Sequence, residues 1–346
     1  MANKFKILSI DGGGTRGVIP ATMLDCLSQD LGKHPMDIFD LVAGTSTGGI
    51  IGIGLAARKA PAVLVNLYLS ESKEIFYDSG WDDLRDGFGK NTGADYSNTQ
   101  LKKILEREFG SLTLADVHAL NKDQKILMIA SFDLSPQDNG KNMNFRPVVY
   151  NSGFLRHRGE SLVDIALRTS AGPTYFPIYQ QKYIDGGVAM NHPAMAAVAF
   201  AINKQEEKDN GDYRYPDGLK KGLGKNPEDL LVLSLGCGTS NRNYIHPQKV
   251  KKGDWGNLQW VKYLPDLLTE SNVQVADYYV RQVLHTEDYM RIQPEFDSSD
   301  APAELNDPDH VLGLDVKDDR RLMAMHEYAK KIYHSRKSEI HKFLGY

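Results

Sequence analysis

Residues 44–48 read Gly-Thr-Ser-Thr-Gly, a G-x-S-x-G pattern centred on Ser46. A serine hydroxyl is presented as a nucleophile when it sits on a tight turn between a strand and a helix, and Gly44 and Gly48 remove side chains that would clash in such a turn. Attack on an acyl carbon puts negative charge on the carbonyl oxygen, and that charge needs donors already in place. Losing one such donor costs roughly 3–4 kcal/mol of transition-state stabilisation. The stretch "DGGGTRG" (11–17) supplies candidates: the N–H groups of Gly12, Gly13 and Gly14 stand clear of side chains, and Gly17 closes the loop. Arg16 would add positive charge there or hold a structural ion pair.

A nucleophilic serine needs a base. Asp185 ends a short apolar run and is followed by Gly186 and Gly187, which permit close backbone approach. A carboxylate bonded directly to Ser46 would take its proton, although an ordinary aspartate, with a pKa of about 3.9, is a weak base unless its site desolvates it. His192 is the one histidine of ten near a strand end, so a histidine-based triad is the alternative.

These groups require particular elements. "FKILSI" (5–10) predicts a buried strand, and Val18, Met23, Leu24, Leu27 and Leu31 recur at helical spacing, with Pro20 in the first turn and Gly32 after the last. The order is therefore strand, glycine loop, helix. "FDLVAGTS" (39–46) predicts a strand ending at Ser46, and 47–60 a helix entered at once. "KILMIASFDL" (125–134) and "DLLVLSLG" (229–236) are near-continuous apolar runs, as expected of strands covered on both faces. The expected fold is α/β, three layers, with a mostly parallel central sheet and helices on both faces.

Two polar stretches, 78–100 and 204–229, read as lids, binding loops or solvated insertions. Residues 318–344 carry Leu322, Met325, Tyr328, Ile332, Ile340 and Phe343 near helical spacing. Such a helix packs its stripe on the core or lies on a membrane surface. The organisation expected is a catalytic core over 5–205, interrupted near 78–100, with 206–346 as the C-terminal part of the same domain.

Composition narrows the partners. The 346 residues carry 41 basic and 45 acidic side chains, a net charge of −4, which gives no global attraction to nucleic acid or to an anionic membrane. Membrane contact would have to be local and mostly apolar. The two cysteines, Cys26 and Cys237, form no disulfide framework and suit a reducing cytosol. The start has no signal-peptide pattern, and the longest weakly polar run, 48–57, is too short to span a bilayer. A cytoplasmic protein is expected, with at most transient contact at a membrane surface.

With these segments in hand, the chain resembles the patatin-like phospholipases. "DGGGTRG" looks like the glycine-rich oxyanion block of that family, "GTSTG" like its nucleophile motif and "DGG" (185–187) like its catalytic aspartate motif, in that order. "TSAGPTYFP" (169–177) and "SLGCGTS" (234–240) look like further family segments, so the similarity covers about residues 5–240. The resemblance implies a Ser46–Asp185 dyad that hydrolyses ester bonds of membrane phospholipids or lysolipids without metal or other cofactor. The family usually has two asparagines before the proline that follows DGG; here the pair is Asn191-His192, so His192 replaces a structural amide or tunes Asp185. Some short bacterial members are effectors switched on by cyclic dinucleotides. The length of the chain and its polar insertions suit such an activator, and no motif marks a site for one.

Other readings compete. Gly12, Gly14 and Gly17 also spell G-x-G-x-x-G, the dinucleotide fingerprint, which expects an acidic residue closing a second strand about twenty residues on. Asp37 and Asp40 fall near that distance but precede the strand that delivers Ser46. "IDGGGT", "IDGGVAM" and "LSLGCG" resemble the phosphate loops and adenosine segment of sugar kinases and actin-like ATPases, where the first loop is a hairpin joining two strands. A third possibility is a storage or binding protein that keeps the fold without turnover.

Overall fold

The apolar runs form the centre of a seven-stranded sheet. The computed structural model describes residues 4–75, 94–121, 125–138, 140–204, 222–240, 245–250, 253–260, 263–306 and 313–346. In chain order the strands are β1 (Phe5–Ile10), β2 (Leu41–Thr45), β3 (Ile126–Asp133), a hairpin of β4 (Gln137–Asp138) and β5 (Lys141–Asn142), β6 (Arg146–Asn151), β7 (Tyr183–Asp185), β8 (Leu230–Leu235) and β9 (Tyr289–Ile292). Across the sheet the order is β6-β3-β2-β1-β8-β9. The neighbours from β3 to β9 run parallel, while β6 and β7 both pair antiparallel with β3.

The helices are α1 (Val18–Leu31), α2 (Pro35–Ile38), α3 (Thr47–Ala56), α4 (Pro61–Ile75), α5 (Thr99–Phe109), α6 (Leu114–Leu120), α7 (Leu162–Thr169), α8 (Gly187–Met190), α9 (Ala194–Ile202), α10 (Asn257–Trp260), α11 (Leu264–Val283) and α12 (Asp319–Leu344). Side chains alternate across a strand, so each apolar strand feeds two cores. Leu8, Ile10, Val42, Leu127 and Ile129 pack with residues of α1, α3, α4, α5, α7 and α12. Ile7, Leu41, Ala43, Ile126 and Met128 pack on the other face with α9 and the end of α11. Helices therefore cover both faces, as the doubly apolar strands require.

Several expectations can be checked locally. Pro20 sits in the first turn of α1, and Gly32 closes that helix in the left-handed region (φ 59°). A helix here is incompatible with the β-hairpin of the kinase reading. Asp37 accepts from Arg58 at 2.8 Å, and Asp40 accepts from Lys125 at 2.9 Å and from the Lys6 N–H at 2.8 Å. Both acids are thus spent on structural pairs, which removes the ribose ligand of the dinucleotide reading. The helix expected over 47–60 ends at Ala56, because Arg58 turns left-handed (φ 61°) and Pro61 opens α4. Of the two polar stretches, residues 78–93 and 205–221 lie outside the described residues.

The C-terminal stripe packs on the core. In α12, Leu322, Met325, Tyr328 and Ile340 are buried, with Ile332 and Phe343 against the same cluster. Thr22 of α1 meets His326 Nδ1 at 2.7 Å, and the Tyr333 hydroxyl donates to Asp30 at 2.9 Å. Met325 has no exposed surface. Met325→Ala is therefore expected to cost about 2–4 kcal/mol, read as a lower urea midpoint at unchanged slope. A loss below about 0.5 kcal/mol, as at an exposed site, would mean that α12 is not part of the cooperative core.

Candidate active site

One step along β3 brings the two key residues together. Thr45, the end of β2, lies opposite Ala130, and Asp185, the end of β7, lies opposite Ser131. Because β6 occupies the other edge of β3 through residues 128–133, β7 must take over the edge of β3 where β2 stops. The ends of β2 and β7 therefore meet head on, and Ser46 follows directly from one of them.

Ser46 is itself held in an unusual conformation, φ 54° and ψ −124°, between β2 and the first residue of α3. For a non-glycine residue this costs of order 1–3 kcal/mol and persists only where neighbours enforce it. Here they do. The Ser46 N–H donates to Thr169 Oγ1 at 2.8 Å, that hydroxyl donates onward to the Ala130 carbonyl, and Thr45 Oγ1 donates to the Met190 carbonyl at 2.6 Å. The flanking glycines are required by contact: a Cβ on Gly44 would lie 2.2 Å from the Gly48 carbonyl oxygen, and one on Gly48 would lie 2.2 Å from the Ile10 carbonyl oxygen.

Asp185 is 9% exposed. Its carboxyl accepts from the Gly187 N–H at 2.6 Å and has the Ser46 side chain beside it. Burial pushes its pKa up to about 6, and these two polar neighbours restrain the rise only in part. The weak base of the sequence is thereby made a stronger one, near neutrality. Gly186 brings the backbone against the Ala130 carbonyl, where a Cβ would sit 2.5 Å away.

The glycine loop leaves β1 through Asp11 and faces the same spot. A Cβ on Gly12 would lie 3.2 Å from Ser46 Cβ. The Gly12 N–H, however, donates to the Asn191 carbonyl at 3.0 Å, and the Asn191 amide reaches back to the Gly12 carbonyl at 3.3 Å. Gly12 is thus a clamp point of the loop, and Gly13 and Gly14 carry its remaining glycine amides. Gly14 turns left-handed (φ 58°), and Gly17 leads into α1 against Thr47 and Tyr68. Arg16 is half-buried, with Nε 3.4 Å from the Gly13 carbonyl, and among the described residues it forms no ion pair. It lines a cavity of about 160 Å³ with Tyr175, Phe296, Leu314 and the first turns of α11, including Asp266 and Glu270.

His192 is buried and turned toward other partners. It lies 2.8 Å from Asp11 Oδ1, 3.1 Å from the Tyr289 hydroxyl and 3.3 Å from Arg291. Two supporting residues carried no sequence signal. Asn272 of α11 accepts from the Asn191 N–H and donates to the Gly187 carbonyl, both at 2.8 Å, so one side chain ties the glycine clamp to the aspartate turn. Arg291 of β9 donates to Asp11 at 2.7 Å. Both thiols are free, and burial pushes Cys26 up to about 11 and Cys237 up to about 12, far from reactive thiolates.

A mostly parallel sheet covered on both faces, with a strained serine elbow at the carboxyl end of one strand and a buried carboxylate beside it, defines an α/β protein of the serine-elbow class. The chain belongs to the patatin-like phospholipase family, whose model matches residues 8–198. It is 28% identical to patatin-like protein 2 of Oryza sativa subsp. indica, over 83% of this chain and 76% of that protein. It is 28% identical to patatin-like protein 2 of Arabidopsis thaliana, over 86% and 78%, and 27% identical to patatin group A-3 of Solanum tuberosum, over 83% and 75%. Among solved structures, human GIVD cytosolic phospholipase A2 in complex with methyl gamma-linolenyl fluorophosphonate aligns with a TM-score of 0.40 at 12% identity, over 99% of this chain and 59% of that one. VipD from Legionella pneumophila aligns with a TM-score of 0.37 at 11% identity, over 96% and 67%.

The close crossing at Gly48 gives a direct test of the elbow. Gly48→Ala must move the β1 end or α3, and a melting temperature lower by several degrees is expected, as for a 1–3 kcal/mol overpacking defect. Unchanged melting would contradict the packing of α3 against the Ile10–Asp11 backbone.

Proposed function

We propose that the protein is a serine lipid acyl hydrolase that cleaves ester bonds of phospholipids or lysolipids. The observation that carries this reading is the meeting of the β2 and β7 ends, which sets the Ser46 side chain beside a buried Asp185 whose pKa is raised to about 6. Ser46 Oγ attacks the acyl carbon as its proton passes to Asp185. The carbonyl π electrons move to oxygen, and the N–H groups of Gly13 and Gly14, with the N-terminal dipole of α3, hold that charge. Collapse of the intermediate breaks the ester C–O bond, and Asp185 returns the proton to the departing alcohol. An acyl-serine remains. Water then attacks it, giving its proton to Asp185, and the fatty acid leaves as Ser46 recovers its hydrogen.

Family membership supports the lipid ester as substrate class, and the absence of any His192 contact to the pair supports a dyad over a histidine triad. Residues 5–205 and 206–346 act as one domain in this reading, because Asn272 and Arg291 from the second part hold Gly187, Asn191 and Asp11 of the first. A cyclic-dinucleotide activator belongs to the same proposal, and adding a panel of such nucleotides to the assay decides it: stimulation supports it, and unchanged rates with every member remove it.

Ser46→Ala should abolish hydrolysis of a short-chain p-nitrophenyl ester and of phospholipid, and a fluorophosphonate probe should label wild type at Ser46 alone. Hydrolysis at the wild-type rate in that variant would end the serine mechanism. Catalysis needs ionised Asp185, so kcat/KM should rise with pH through about 6 and then level off.

Asp185→Asn should be almost as inactive yet more stable. The raised pKa means that the folded state binds a proton more tightly than the unfolded chain does. Stability conferred by the neutral acid is complete below the unfolded value of 3.8 and is lost as pH rises through about 6. The shift corresponds to about 3 kcal/mol. The melting temperature of Asp185→Asn should therefore exceed that of wild type at pH 8, with the gap shrinking toward pH 4. A wild type that melts higher than the variant at pH 8 would refute the buried-carboxylate argument.

A further inference from the structure

Helix α11 is apolar on two opposite sides, and only one of them is covered. Val273 and Val280 face inward and are buried, Val280 in the core beneath β1 and β8. On the far side Leu264, Leu267, Leu268, Val275, Tyr278 and Tyr279 are 43–59% exposed. At 3.6 residues per turn these six fall within a sector of about 120°, opposite the buried valines, and run for roughly 22 Å along the axis. A helix apolar all round is normally buried, and a continuous exposed stripe of this length marks an interaction surface rather than scattered surface residues. Trp260 of α10 is 42% exposed at the same end, stacked edge-on against Trp255, which in turn stacks on Tyr263.

We propose that this face of α11, with Trp260, is the surface on which the protein docks to an electrically neutral lipid bilayer. The inference rests on the lipid-hydrolase reading, and three observations choose the occupant. First, the stripe adjoins the site. Asn272, at the edge of the stripe, bonds Gly187 and Asn191, and the opposite side of the first turns lines the cavity beside Arg16 and the glycine loop. Second, the side chains are of the interfacial kind: leucines to enter the acyl region, and tyrosines and a tryptophan with a polar tip for the head-group level. Third, the charged side chains of α11 are Asp266, Glu270 and Asp277, turned away from the stripe, and Arg281, already paired to Asp277 at 2.8 Å. Among the described residues of α10 and α11 no unpaired cation is offered to anionic head groups, and a chain of net charge −4 adds no global attraction to them.

The test uses the full chain with phosphatidylcholine vesicles and compares wild type with the double variants Leu268→Glu/Tyr279→Glu and Leu268→Ser/Tyr279→Ser. Both replaced side chains are about half exposed, so melting temperatures should stay within a few degrees, and the serine pair keeps the test valid if the glutamate pair misfolds. Wild type should co-sediment with the vesicles and show a blue shift of tryptophan fluorescence. Both variants should bind at least tenfold more weakly and hydrolyse vesicle lipid at least tenfold more slowly, while the short-chain soluble ester is cleaved within twofold of wild type. Adding anionic lipid should leave wild-type affinity within threefold. Absence of wild-type binding, equal binding by the variants, or tenfold tightening by anionic lipid overturns the proposal. So does a wild-type dimer that the variants convert to monomer with vesicle binding intact, which would assign the face to a second copy of the chain. Loss of vesicle binding in the variants of a protein that hydrolyses no ester would instead remove the proposed function and leave the docking surface standing.

Discussion

Everything at the site depends on β3 lending one edge to two strands in succession. Thr45 pairs with Ala130 and Asp185 with Ser131, so β2 and β7 approach each other end to end along that edge. Without the hand-over, residues 46 and 185 would have no reason to meet. With it, the backbones of 44–48, 130–131, 169 and 185–187 are crowded into one small volume. That crowding explains Gly186, whose Cβ would be driven into the Ala130 carbonyl oxygen, while Gly44 and Gly48 let the elbow close on itself and on the end of β1, at the Gly48 and Ile10 carbonyl oxygens. It also explains Thr169, whose hydroxyl accepts from the Ser46 N–H and donates to the Ala130 carbonyl, joining elbow and edge in one chain of bonds.

The same geometry costs stability. Ser46 sits in a left-handed conformation that few non-glycine residues adopt, and Asp185 ionises in a place that disfavours charge. Neither is tolerable in isolation. They are held because the two cores on either side of the sheet are large and because the neighbouring loops are cross-tied. Asn191 clamps Gly12 through both its main-chain carbonyl and its side chain, while Asn272 holds Asn191 and Gly187 together from α11. Local strain at functional positions within a locally consistent fold is the pattern expected when chemistry and folding make opposite demands on a few residues.

Much of the frame was legible in the sequence because its signals are local. Four apolar runs, the helix periodicity after Gly17 with Pro20 and Gly32 at its ends, and the small-residue helix after Ser46 are all readable within windows of ten to fifteen residues. The stripe of α12 was equally clear, and its packing on α1 resolves the ambiguity between core and membrane. What escaped was non-local. Gly12 looked like an amide free for an anion, and only its meeting with Asn191, far away in the chain, shows it occupied. Asn272 and Arg291 belong to no motif. Helix α11 was unreadable for a physical reason: with apolar residues on opposite sides its pattern has no single face, so periodicity gives no direction.

The two buried aspartates near the glycine loop show how environment divides roles between identical side chains. Asp185 has one hydroxyl and one amide to stabilise its charge, burial dominates, and its pKa rises into the working range of a base. Burial would raise Asp11 as well, but Arg291 and His192 lie against its two oxygens at 2.7 and 2.8 Å and outweigh it, holding the carboxyl below its ordinary range. Asp11 therefore stays ionised across the whole pH interval in which Asp185 changes state. Its backbone is fixed too, with the N–H donating to the Leu235 carbonyl and its own carbonyl accepting from Cys237. An anion immobilised at every polar atom is a poor proton carrier and a good anchor. It pins the residue from which the loop departs, so the direction of the Gly13 and Gly14 amides is inherited from the end of β1. In the proposed mechanism, separating the pKa values of two carboxylates in this way lets one fold use the same side chain as a fixed post and as a moving part.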